Sequence, residues 1–194
     1  MLAFKMFLIV GLGNPGKSYI NNKHNVGYKV IDTLGTLYNS SVFLKKFKSE
    51  FLKLEVNKNI IFLQKPTTYM NNSGLAVKEI KDFYNIPLSK IYVIHDEIDL
   101  EQGRVKVKVG GGHNGHNGLK SIDQFIGKNY NRIRVGISRP SKLYENKIEE
   151  NISGWVLSDF SSNDKVNWLN ATLEKVSNEI NLLITNETEK LNFN

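Results

Sequence analysis

Met6-Phe7-Leu8-Ile9-Val10, running into Gly11-Leu12-Gly13-Asn14-Pro15-Gly16, decides the fold. Five apolar residues stopped by a Gly/Pro loop read as a buried strand followed by a tight turn. Outward from it, apolar runs of strand length alternate with stretches of helical period. That alternation predicts one α/β domain: a mixed, mostly parallel, twisted sheet flanked by helices. Val30, Ile31, Leu34 and Leu37 give a helix from His24 one apolar face. Leu52, Leu54 and Val56 alternate with Lys53 and Glu55, and Ile60–Leu63 reads as a hairpin partner across Asn57-Lys58-Asn59. Pro66 stops that strand, and Leu75, Ile80 and Phe83 mark a second helix, ended near Pro87. Ile91–Ile94 is an apolar strand running into His95-Asp96-Glu97. In Arg104-Val105-Lys106-Val107-Lys108-Val109 the period of two places three valines toward the core and three cations on the other face. A third helix passes through Leu119, Ile122 and Ile126, a strand follows at Arg132–Ile137, and an acidic amphipathic helix spans about 164–184. No repeat or linker divides the chain, so 1–194 reads as a single domain.

Composition removes whole classes of chemistry. With no cysteine there is no disulfide framework, no thiolate nucleophile and no Cys-type metal site. The early apolar run is too short for a signal-peptide core or a membrane span, so a soluble, cytoplasmic protein without membrane contact is expected. Asn-Xaa-Ser/Thr triplets such as those at Asn71 and Asn186 then read as accidents of an Asn-rich chain, 24 residues in 194. The net charge of +7 is unevenly placed. Residues 1–140 hold 21 Lys+Arg against 10 Asp+Glu, whereas 141–194 hold 5 against 9. Between Arg104 and Arg139 lie eight cations (Arg104, Lys106, Lys108, Lys120, Lys128, Arg132, Arg134, Arg139) and one acid, Asp123. Such clustering suits a polyanionic partner, and equally a solvated Lys-rich surface.

Gly11–Gly16 matches G-x-G-x-x-G after a strand, but a dinucleotide site needs the last Gly to open a helix and an acid at the tip of the second strand. Pro15 stiffens this loop, and the acid at suitable distance, Asp32, falls inside the first helix. A loop presenting Asn14 at a strand's carboxyl end is the better account. His24 near a helix start reads as a surface or capping residue unless a partner orients it. Asp96, at the end of an apolar strand where open α/β sheets place ligands, is that candidate partner; its plainer role is a turn or cap. A carboxylate there fixes the imidazole tautomer and stabilises the imidazolium formed when His24 takes a proton from water. No Ser sits in a G-x-S-x-G elbow, so hydrolysis by activated water is the simplest scheme these residues allow. Gly110–Gly118 lets backbone approach a ligand and offers amides to an anion at the third helix. His113 and His116 are two metal-type ligands without a third in the motif. Lys65–Gly74 is a polar segment before a helix, with Ser73 or Asn71 as its N-cap.

Taken together, Gly11–Gly16 with Tyr19 and His24-Asn25, then Lys65–Gly74, then His95-Asp96-Glu97-Ile98-Asp99-Leu100, then the glycine run through His116-Asn117-Gly118-Leu119-Lys120 resemble the bacterial-type peptidyl-tRNA hydrolases in order and spacing. The resemblance spans about residues 6–185 and leaves 1–5 as an N-terminal extension, with Met6 as a candidate start. It implies a monomeric enzyme with no metal or cofactor that cleaves the ester between a peptide and the 3′ ribose of tRNA. On that pattern His24 is the general base and Asp96 its orienting carboxylate. Asn14 and Asn71 hold the ester and water, and Asn117 lies near the developing oxyanion. Tyr19, Met70 and His116 line the cleft, and Lys106 and Arg134 form a clamp for tRNA phosphate. A non-catalytic tRNA- or ribosome-binding module of the same fold is the rival reading; a buried base would be idle in it. The chain departs from the family at Asn21-Asn22-Lys23, where Thr-Arg is usual, and at Asn114 in place of glycine. Asn114 duplicates His-Asn-Gly, and the spacing to Leu119 attaches the family roles to the second copy.

Overall fold

The computed structural model describes residues 5–40, 42–140, 148–185 and 190–193. Met1 and the triplet at Asn186 lie outside them. Seven strands, β1 (Lys5–Gly11), β2 (Leu44–Lys46), β3 (Ser49–Val56), β4 (Asn59–Pro66), β5 (Ile91–Glu97), β6 (Val105–Val109) and β7 (Asn131–Gly136), form one sheet in the order β2-β3-β4-β1-β5-β7-β6. The pairs β1–β4, β1–β5 and β5–β7 are parallel. The outer pairs β2–β3, β3–β4 and β6–β7 are antiparallel. The sheet is therefore parallel at its centre, and the carboxyl ends of β1, β4, β5 and β7 share one edge.

Alternation along β1 explains the two layers. Phe7 and Ile9 enter a core with Val30, Ile31 and Leu34 of α1 (Val26–Leu37) and Val176 and Ile180 of α6 (Asn170–Ile184). Leu8 and Val10 enter the opposite core, with Val77 and Ile80 of α2 (Ser73–Phe83) and Leu119 and Ile122 of α3 (Asn117–Ile126). A fourth helix, α4 (Ile148–Val156), precedes the C-terminal helical run. That run comprises α5 (Ser162–Asp164), a wide π-type turn at Lys165–Leu169, and α6.

Several local expectations shift. Leu37 and Phe83 are exposed because each is the last residue of its helix, beyond the reach of the sheet. Leu75 is only half-buried, and Ala76 and Val77 pack in its place. Val109 is exposed at the end of β6, an edge strand of the sheet. The β3–β4 loop has two residues rather than three: Asn59 already pairs with Val56, and Asn57 and Lys58 take left-handed backbone (φ 47° and 64°), as a tight hairpin of this hand requires. Neither Asn71 nor Ser73 caps α2 by side chain; the Ser73 hydroxyl donates to the Met70 carbonyl.

Candidate active site

The loop after β1 and the turn before α1 bring the base to its carboxylate. Gly27 permits this approach: a Cβ there would stand 2.4 Å from the Leu12 nitrogen and 2.5 Å from the Ile94 oxygen. His24 sits on a 3-10 turn, Lys23–Asn25, just ahead of α1. Asp96 is not in a turn; β5 runs through Glu97, and Asp96 is 3 % exposed within it. The Nδ1–H of His24 donates to Asp96 Oδ1 at 2.8 Å, which leaves Nε2 free as a proton acceptor.

His116 approaches the same oxygen. Its Nδ1 accepts from the backbone amides of Gly118 (3.2 Å) and Leu119 (3.4 Å), capping α3, so the ring proton lies on Nε2 and is donated to Asp96 Oδ1 at 3.1 Å. Burial raises the carboxyl pKa, but the facing His24 and His116 rings more than offset this by charge and hydrogen bond and hold it well below the usual range. Beside them, burial above all pushes the His95 imidazole down to about 3, with His116 and Arg132 adding to the effect and Asp96 opposing it. Neutral His95 donates from Nδ1 to the Asp96 carbonyl at 2.7 Å.

Amides complete the constellation. Asn14 Oδ1 accepts from the Met70 amide at 2.8 Å, so its Nδ2 is the group left to donate into the cleft. Asn25 clamps the Asn14 backbone twice: its Oδ1 accepts from Asn14 N and its Nδ2 donates to Asn14 O, both at 2.9 Å. His24, Asn25 and Asn14 thus form one unit. Asn71, Asn117, Met70 and His116 line the same cleft, which measures about 1000 Å³.

One residue expected in the lining is placed elsewhere, and the basic segment is distributed in a way the sequence did not specify. Tyr19 stands outside the lining and meets Tyr69 edge-on at 6.4 Å; Tyr69, 57 % exposed, is the aromatic that borders the cleft. Lys106 and Arg134, the pair assigned to phosphate, are register partners on β6 and β7 outside the cleft lining, and the Arg134 Nε donates to Glu97 at 2.9 Å. The lining cations are Lys108 and Lys120, of the same basic segment. Arg132, counted among the surface cations, is fully buried: it binds Asp123 and the Gly112 carbonyl, each at 2.8 Å, and so anchors the glycine loop. A wall from α4 and the turn after it, Ile152, Ser153, Val156 and Leu157, went unassigned in sequence, although its apolar residues recur at helical spacing.

In the glycine loop Asn114 adopts φ 46°, a left-handed conformation that Asn tolerates better than other side chains, which accounts for its standing where glycine is usual. His113 accepts from the Gly115 amide and does not join His116 at a common ligand. Among the described residues, the group able to hold a metal is His24, Asp96 and His116, with ligand atoms within 4.8 Å of one another; as they stand, those contacts are hydrogen bonds. Gly16 does not open a helix: a single turn, Lys17–Tyr19, follows it, and Asp32 binds Lys65 Nζ at 2.6 Å, so the dinucleotide reading is discarded.

The fold and the cleft define a class: an α/β domain whose reactive centre is a carboxylate-oriented histidine flanked by amide donors at the carboxyl edge of the sheet. The family model described as peptidyl-tRNA hydrolase matches residues 8–194. The chain is 45 % identical over 186 residues to the peptidyl-tRNA hydrolase of Rickettsia bellii (strain RML369-C) and 46 % identical over 187 residues to that of Rickettsia felis, covering 95 % of this chain and 97 % of each relative. The crystal structure of peptidyl-tRNA hydrolase from Acinetobacter baumannii superposes with a TM-score of 0.84 at 33 % identity, over 96 % of this chain and 92 % of that one. A complex of peptidyl-tRNA hydrolase with N-propanol gives 0.83 at 34 % identity, over 94 % and 90 %. This chain belongs to the peptidyl-tRNA hydrolase family.

Proposed function

We propose that this protein hydrolyses the ester joining a peptide to the 3′ ribose of tRNA, with His24 as general base. The observation that carries the reading is the 2.8 Å contact from His24 Nδ1 to buried Asp96, which leaves Nε2 for water. Nε2 takes a proton as the water oxygen attacks the ester carbonyl; the carbonyl–oxygen bond to ribose then breaks, and the proton passes to the 3′ oxygen. Asp96 stabilises the transient imidazolium. The Asn14, Asn71 and Asn117 side chains donate to the ester and to the tetrahedral oxyanion. Lys108 and Lys120 hold phosphate, with Lys106 farther out on the same basic face. The non-catalytic binding module is disfavoured, since the oriented base would have no task in it.

The reading extends to a monomer working in the cytoplasm, where tRNA is charged and used. The family resemblance implies the monomer, and no helix among the described residues is long and apolar enough to cross a membrane. Residues 1–194 act as one hydrolase domain, in which Lys5 is already the first residue of β1. The test is turnover of N-blocked aminoacyl-tRNA beside free aminoacyl-tRNA: rapid release from the blocked substrate alone is expected, and release from neither overturns the proposal.

A further inference from the structure

Lys23 is 4 % exposed, and no carboxylate lies within ion-pair distance of it among the described residues. A buried ammonium without an ion partner is an expensive choice, because an apolar side chain of similar length would pack at lower desolvation cost. Its three N–H groups face three partners: Ser158 Oγ at 2.9 Å, the Asp159 carbonyl at 2.8 Å, and the Trp155 indole, whose ring centre is 4.3 Å away. Around it the backbones interlock. The Lys23 amide donates to the Ser158 carbonyl, the Phe160 amide donates to the Asn21 carbonyl, and Asn22 Nδ2 donates to Asp159 at 2.7 Å. Burial draws the Lys23 pKa down, while Asp164 and Asp159 at longer range oppose it.

Each partner belongs to the segment that ends α4, and Ile152, Val156 and Leu157 of that segment form one wall of the cleft. The next residue along the chain from Lys23 is His24. We propose that Lys23 is a positioning residue that ties this wall to the turn carrying the base, so that the wall contacting the substrate and the base acting on it keep one register. The inference rests on the hydrolase reading given above. Trp155 supports the arrangement from its other side, its Nε1 donating to the Ser138 carbonyl just past β7. The ammonium suits this task because it bonds in three fixed directions, whereas a methyl-terminated chain would fill the same space without fixing direction.

The test compares wild type, Lys23→Met, Ser158→Ala and the double variant, by kcat and KM on N-acetylaminoacyl-tRNA well below each melting temperature, and by amide exchange at Lys23 and Phe160. Lys23→Met is expected to raise KM roughly tenfold and lower kcat severalfold, since misplacement by about 1 Å costs up to about a hundredfold. Ser158→Ala gives a smaller change in the same direction, adding it to Lys23→Met changes little further, and the two amides exchange faster while the core strands do not. A folded Lys23→Met protein with wild-type kcat, KM and exchange overturns the proposal, because a filler role would move only the melting temperature. If Lys23→Met does not fold, an unchanged Ser158→Ala overturns it alone. A wild-type protein inactive on the substrate refutes the hydrolase reading instead, and the exchange arm still decides whether Lys23 holds the wall.

Discussion

His24 and His116 meet through one atom: Nδ1 of the first and Nε2 of the second both donate to Asp96 Oδ1, at 2.8 and 3.1 Å, with ring centres 4.9 Å apart. Asp96→Asn preserves the shape and keeps one acceptor oxygen for both rings, but removes the negative charge that stabilises imidazolium. A fall in kcat of about 10²–10⁴ with KM within severalfold is expected, measured on N-acetylaminoacyl-tRNA. Retained kcat would show that the carboxylate is not needed.

Among the described residues the cations lining the cleft are Lys108 and Lys120, whereas the Arg134 guanidinium lies outside the lining and is engaged by Glu97. Lys108→Ala should raise KM, keep kcat and flatten the dependence of log K on log salt by about 0.7–0.9 for each phosphate that the ammonium neutralises in the wild type. Arg134→Ala should flatten it less. The reverse order of the two slopes would return the clamp to β7.

Acid should unfold the protein through His95. Its folded pKa, about 3, lies below the unfolded value of 6.5, so the unfolded chain binds the extra proton between those values and stability falls as pH drops through that window. Asp96, also held low when folded, loses its own contribution at still lower pH. Urea midpoints from pH 7 to 4 should decline, on the order of 1 kcal/mol per pH unit for one proton. His95→Phe should flatten that decline, and an equally steep one in the variant would assign the effect elsewhere.

Arg132 is bonded to Asp123 and Gly112 and lies 4.8 Å over the Tyr130 ring. Arg132→Ala leaves Asp123 without its buried cation and should cost about 3–5 kcal/mol in a denaturant titration. Loss of only a few tenths would mean that water replaces the guanidinium.

The features legible in sequence were those with a local signature. The run at Phe7–Val10, the alternation at Val105–Lys108 and the loops bearing Asn14 and His116 announce themselves by period or by glycine. Asp96 was legible as a strand-end acid, but its strand extends further because His95, Asp96 and Glu97 are all buried against other elements. What stayed hidden depends on register and on distant partners. Arg132 and Arg134 look alike as alternate residues of a strand, yet one faces Asp123 under the glycine loop and the other Glu97. Tyr19 and Tyr69 are both aromatics in polar loops, and only the meeting of two loops decides which borders the cleft. The buried state of Lys23 follows from a segment some 135 residues later in the chain.

The central claim is that His24 Nε2 removes a proton from the attacking water. Single-turnover hydrolysis of N-acetylaminoacyl-tRNA by His24→Ala, with substrate affinity measured in parallel, tests it most directly. The account predicts a rate about 10²–10⁴-fold below wild type with binding largely kept; an undiminished rate in the folded variant contradicts it.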